Sequence, residues 1–304
     1  MMPHSSPMNS ITNVRPIDSP EAMIAAIRHF GVLPFFRCGV PGWSVEELTA
    51  PGCWFSGEED TFLGPWDWKI DAIREGDIAY GKFLGGKAAF ATVTWYRELM
   101  NWRRSQPRWR LALGERYKAL TQSDKLMKVL APLALAAIQE AGALEMRELR
   151  TICARKLTPA QLKTLGPRYR PMLTPSIKKN VMDSVIQFLQ MGTWTVIGDF
   201  ERVYRGPELT YRGWQRASNT TPDNLFAIPV LPASSALADF PVAPVESVAS
   251  AAPVASSIPV APATPVASAP LVTTLAPAVS RARLMAHVLA FFPSADPKLL
   301  EKLF

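Results

Sequence analysis

The side chains best suited to chemistry in this sequence are carboxylates and guanidinium groups set among tryptophans. Glu58, Glu59, Asp60 and Asp67 lie in WFSGEEDTFLGPWDWK, residues 54–69, beside three tryptophans. A carboxyl packed against aromatic rings stays protonated to higher pH than one in water, and can then act as a general acid or base. The same composition also describes a solvated acidic loop. Arg103, Arg104, Arg108 and Arg110 are interleaved with Trp102 and Trp109 in LMNWRRSQPRWR, residues 99–110. Such a run can stack bases and pair phosphates. Equally, the tryptophans can be core, with arginine stems laid over them. No motif of strict spacing accompanies these groups: the chain has no GxGxxG, Walker A, GxSxG, HExxH or paired CxxC. GKFLGG, residues 81–86, lacks the Lys-Ser/Thr ending of a phosphate loop and sits inside a hairpin pattern. Cys38, Cys53 and Cys153, and His4, His29 and His287, are dispersed, which predicts reduced thiols, no metal site and no bound cofactor.

The elements that would position these groups centre on Thr174–Trp214. Val181, Val185, Ile186 and Leu189 fall on one helical stripe, with Lys178, Lys179 and Asn180 on its first turn. Thr174 is the expected cap, Pro175 the first-turn proline, and Gly192 the left-handed stop. The period then changes to two through Trp194, Val196 and Phe200. Arg202 and Arg205 lead into a Gly206-Pro207 turn, and a second extended run follows from Leu209 to Trp214. A helix over residues 122–145, which Pro132 either kinks or divides, a shorter one from Glu145 carrying Leu149, Ile152 and Cys153, and a basic loop with Lys163, Arg168 and Arg170 come before. Helix, helix, loop, helix, strand, hairpin, strand is the succession of a winged helix, whose recognition helix enters a DNA groove while the hairpin lies on the backbone. Lys178, Lys179 and Asn180 would then contact the groove, Arg202 and Arg205 the phosphates from the wing, and Arg168 and Arg170 the phosphates from the loop.

Charge points the same way. The chain carries +7 at neutral pH with a pI near 9.4. Between Glu145 and Arg216 there are thirteen Lys and Arg against six Asp and Glu, so a net +7 is concentrated in under a quarter of the sequence. Upstream, Ser19-Pro20 opens a helix closed by Gly31, with Met23, Ile24 and Ile27 on its buried face; Ser44 and Glu47 form a capping box, and the Gly85-Gly86 pair joins two strands between Ile78 and Val93. Residues 229–279 are Pro, Ala, Val and Ser with almost no charge, an extended tether rather than a core. A helix at 280–304, with Leu284, Val288 and Phe291 on one face, would dock on the body or on a partner. The N-terminus has neither signal-peptide pattern nor spanning segment, which predicts a cytoplasmic protein. The expected layout is an α+β chain: a tail over 1–18, a Trp-rich region with a hairpin over 19–121, a winged-helix unit over 122–228, the tether and the C-terminal helix.

Four blocks carry a family likeness. GPWDWK (64–69), EGDIAYGKF with GGKAAF (75–90), NWRR (101–104) and LQMGTWTVIGDFE (189–201) resemble the AlkZ-related proteins, small bacterial relatives of the AlkZ/YcaQ DNA glycosylases. The resemblance spans about residues 20–225 and the final helix. It implies winged-helix units, a duplex-DNA surface and excision of alkylated or crosslinked bases after base flipping. Family catalysis rests on a Gln-x-Gln or Gln-x-Asp pair; the similar element here is Gln190-Met191-Gly192, with glycine at the second position, leaving Gln190 as the candidate catalytic residue. Two functions follow as expectations: repair of alkylated bases, or DNA binding and regulation without chemistry.

Overall fold

Ser19 starts the first helix by accepting the Ala22 amide, and Gly31 ends it at φ 67°, as a Pro-first, Gly-last segment should. The computed structural model describes residues 14–54, 64–115, 121–176, 180–226 and 275–304. In these, α1 (Pro20–Phe30) is followed by β1 (Val32–Pro34), α2 (Val45–Leu48), α3 (Pro65–Arg74), the hairpin β2 (Ile78–Leu84) and β3 (Lys87–Thr92), and α4 (Val93–Arg104). Then come α5 (Gln122–Ala141), β4 (Ala143–Glu145), α6 (Met146–Lys156), α7 (Pro159–Leu165), α8 (Met182–Met191), β5 (Val196–Arg205), β6 (Thr210–Thr220) and α9 (Pro222–Phe226). The C-terminal stretch forms α10 (Pro277–Phe291) and α11 (Pro297–Leu303). The fold is α+β, with two antiparallel three-stranded sheets ordered β1-β3-β2 and β4-β6-β5.

Two apolar cores fill this unit. The first joins α1, the β1-β3-β2 sheet, α4 and the C-terminal helices through residues such as Phe30, Leu33, Phe83, Tyr96, Leu284 and Leu303. The second joins α5, α6 and α8 through Leu130, Ile138, Leu149, Val185 and Leu189. The β2–β3 turn is Gly85-Gly86, both at positive φ, as a two-residue hairpin requires.

Several local expectations change under tertiary packing. The helix expected from Thr174 begins at Met182, because Asn180 turns inward to accept the Met182 amide (2.9 Å) and donate to the Thr174 carbonyl (3.0 Å). Thr193 at φ 61°, rather than Gly192, takes the left-handed position. Gly192 is needed for space instead, since a Cβ there would lie 2.8 Å from the Trp194 ring. Pro132 neither divides nor ends α5, which runs on because Leu130, Ala131, Ala134 and Leu135 are buried on both sides of it. The single C-terminal helix is two, interrupted around Pro293, and α10 packs on α4. The tether lies outside the described residues as far as position 274.

The NWRR block is structural. Arg103 is buried and donates to the carbonyls of Met191 (2.7 Å), Leu303 (3.0 Å) and Phe83 (3.3 Å), tying together the ends of α8, α11 and β2. Arg104 donates to the Thr193 carbonyl (2.7 Å) and lies 4.5 Å over the Trp194 ring. Burial pulls the Arg103 pKa down to about 10, yet leaves it charged at neutral pH. Neither guanidinium is free to stack a base.

Candidate functional site

A cleft of about 1200 Å³ opens between α3 and β2 on one side and α6, α8, β5 and β6 on the other. Its apolar walls come from Trp66, Tyr80, Ile186, Ile197 and Phe200, and amides from Gln187, Gln190, Gln215 and Asn219 also line it. Six cationic side chains face three acidic ones around it: Lys69, Lys82, Arg147, Arg150, Arg155 and Arg216 against Glu145, Glu148 and Asp183. Arg150 is neutralised by Asp183 at 2.7 Å, and Arg216 is 3.9 Å from Glu201. Arg147, Thr151 and Arg155, spaced by four on α6, are exposed and form a basic rim. A cavity with aromatic walls, polar amides and a cationic rim suits an anionic ligand carrying a flat ring.

Gln190 is held on the wall of this cleft by both ends of its amide. Its Oε1 accepts the backbone N–H of Lys82 at 2.8 Å, and its Nε2 donates to Asn219 Oδ1 at 3.1 Å. The β2–β3 register slips between Gly81 and Leu84, and the amide of Lys82 turns to Gln190. Gln190 is 3% exposed.

Behind the cleft wall, Asp67 is fully buried. Its Oδ1 accepts from the Tyr211 hydroxyl and from Gln215 Nε2 (2.9 Å), and Arg202 Nε lies 3.6 Å away. Burial, and then the Asp67 hydrogen bond, push the Tyr211 pKa up to about 12. Lys69, one turn of α3 from Trp66, is also buried. Its ammonium nitrogen donates to the Trp66 carbonyl (2.6 Å) and lies 3.3 Å over the Trp66 ring and 4.7 Å from that of Phe200. Burial lowers its pKa to about 7, against a smaller opposing pull from Asp67.

The residues singled out from sequence separate into four groups. Gln190 and Asp67 lie at or behind the cleft. Asn180 (4% exposed) is buried just ahead of the Val181 N-cap, where it accepts the Met182 amide, and Arg202 is partly exposed with its Nε turned toward Asp67. Arg205, stacked 5.3 Å over Trp214, and Arg168 and Arg170 are exposed on the surface. Lys178, Lys179, Glu58, Glu59 and Asp60 lie outside the described residues. Sequence reasoning missed Lys69, Lys82, Arg147 and Arg155. The signal for the two arginines was present, as a basic spacing of eight on α6 that was used only for its apolar face. Lys69 gave none, since its meaning comes from rings elsewhere in the fold.

Among the described residues no helix is long and apolar enough to cross a membrane. The family model described as AlkZ related matches residues 17–238, nearly three-quarters of the chain and all of the cleft. No curated protein and no solved structure is significantly similar to it.

Proposed function

Because the chain belongs to the AlkZ-related family, we propose that it is a winged-helix protein that binds duplex DNA and acts in the repair of alkylated bases. The observation that carries this reading is the cleft: a basic rim at Arg147, Arg155 and Lys82 leads to aromatic walls at Trp66 and Phe200. Such a rim neutralises phosphates, and such walls accept a base turned out of the stack. The winged-helix assignment is supported by the order α5, β4, α6, α8, β5, β6 and by the β4-β6-β5 sheet, with α7 as an addition between α6 and α8. Arg205, Arg168 and Arg170 extend the phosphate contacts from the hairpin and the loop. Bacterial cytoplasm, where chromosomal DNA lies, is the compartment this function requires.

A second reading, DNA binding without base excision, is favoured by one observation. Both ends of the Gln190 amide are used inside the fold, and glycine stands two residues later, where the resembled Gln-x-Gln or Gln-x-Asp pair has its second polar residue. The test is binding to intact and alkylated duplexes over a salt series, with base release followed in the same tubes. Salt-dependent binding should weaken in Arg147→Glu/Arg155→Glu, with the logarithmic salt slope smaller by about 2. Release of a modified base establishes the repair reading; binding without release establishes the second. Absence of binding at low salt overturns both.

A further inference from the structure

Lys69 is an expensive residue to bury. No carboxylate among the described residues pairs with its ammonium, whose one hydrogen bond goes to the Trp66 carbonyl. The remaining contacts are with the rings of Trp66 and Phe200. A methionine would fill this aromatic cage without the cost of desolvating an amine. The lysine nevertheless stands on the wall of the cleft, beside the half-exposed Trp66. An amine desolvated by aromatic walls within a substrate-sized cavity is the environment in which lysine becomes a nucleophile.

We propose that Lys69 is an amine nucleophile toward aldehydes held in the cleft, the intended one being the ring-opened deoxyribose of an abasic site in DNA. This rests on the DNA reading above, because loss of a base leaves such an aldehyde and the basic rim suits its flanking phosphates. As a neutral amine, Lys69 can keep one N–H on the Trp66 carbonyl and still offer its lone pair. That pair adds to the C1′ aldehyde carbon, and the carbonyl π pair moves to oxygen, which takes up a proton. The nitrogen passes one of its protons to that oxygen, which leaves as water with the C–O pair, and the remaining nitrogen lone pair closes a protonated imine. A C2′ proton can then leave to solvent water as the C3′–O bond breaks with its electron pair on the phosphate, and water returns to free the lysine.

Burial prepares the amine. With its pKa lowered to about 7, a substantial share of Lys69 is neutral at pH 7.5, against roughly one part in a thousand for an ordinary lysine. The charge acting on it is that of Asp67 on its own helix, itself met by Arg202 on β5 and Tyr211 on β6; Tyr211, held at about 12, and Tyr80 on β2, which burial raises further, lie outside the relevant range. Adduct formation should therefore rise from pH 6 to pH 8 and then level off.

The experiment uses the full chain with an abasic duplex and cyanoborohydride, which reduces an imine to a stable secondary amine. A tetrahydrofuran abasic analogue, which has no aldehyde, reports binding separately. The expected result is a covalent protein–DNA band whose peptide mass maps to Lys69. In Lys69→Met it should fall by about 100-fold or more, while analogue binding stays within about threefold. Lys128→Met, changing an exposed lysine of α5 that does not line the cleft, should keep the band. Mapping in the unmutated chain makes the test independent of whether the Met variant folds. Binding of the analogue with no adduct, or an adduct mapped to another lysine, overturns the proposal and leaves the DNA reading standing. No binding of the analogue at low salt overturns both.

Discussion

Gln190→Leu tests whether Gln190 holds the cleft together. Leucine nearly matches the volume but cannot accept the Lys82 N–H or donate to Asn219 Oδ1. The register slip in β2 turns the Lys82 amide away from the sheet ladder, so that N–H loses the partner it has. Leaving one such group unsatisfied costs about 1–3 kcal/mol. Asn219 Oδ1 faces the cleft and can recover part of its loss from water, so the net destabilisation should be about 2–4 kcal/mol. For a unit of this size that corresponds to a midpoint lower by roughly 5–12 °C. The assay is calorimetry of the full chain, paired with urea unfolding at constant pH. Gln190→Glu is the companion: a carboxylate still accepts the Lys82 N–H, and Asn219 can turn its amide to donate to the other oxygen, so most of the stability should return. A melting temperature for Gln190→Leu within about 2 °C of the unmutated chain would refute the structural role. Loss of base release in a Gln190→Glu protein of normal stability would add a catalytic role to it.

Two further substitutions probe the surroundings of the cleft. Asp67→Asn removes the hydrogen-bonded charge that, after burial, raises the Tyr211 pKa; that pKa should fall below about 12 while Tyr211 stays half-buried. Ultraviolet titration of the tyrosinate band, with Tyr211→Phe to identify the signal, reads this directly, and an unchanged titration would refute the Asp67–Tyr211 link. Gly85→Ala forces a side chain onto a residue at φ 58°, with its Cβ 3.2 Å from both the Lys302 carbonyl and Leu303 Cδ2. It should cost about 1–3 kcal/mol and loosen α11, seen as faster carboxypeptidase release of the last residues; an unchanged release rate would show that α11 does not rest on this turn.

Much of the secondary structure was legible because its signals are local. Ser19 and Gly31 bound α1, Gly85-Gly86 makes the β2–β3 turn, and the 3.6 and 2.0 periods separate α8 from β5. Family resemblance was legible as well, in four blocks that tertiary structure explains unevenly. GPWDWK supplies the Trp66, Asp67 and Lys69 cluster; EGDIAYGKF supplies the slipped strand that meets Gln190; NWRR supplies buried bonds between helix ends.

What the sequence by itself determined is therefore the locally signalled elements, among them α1, the β2–β3 turn, and the succession of α8 and β5, and that positive charge is concentrated between Glu145 and Arg216. Tertiary structure alone decided which of these charges and amides share a cavity. Lys82 reaches Gln190 across 108 positions, and Tyr211 reaches Asp67 across 144. No periodicity reports such pairings, because a side chain's period is set by its own backbone. Lys69 depends on them most. Its pKa is set by the water that Trp66 and Phe200 exclude, and Phe200 comes to it from a strand about 130 residues away.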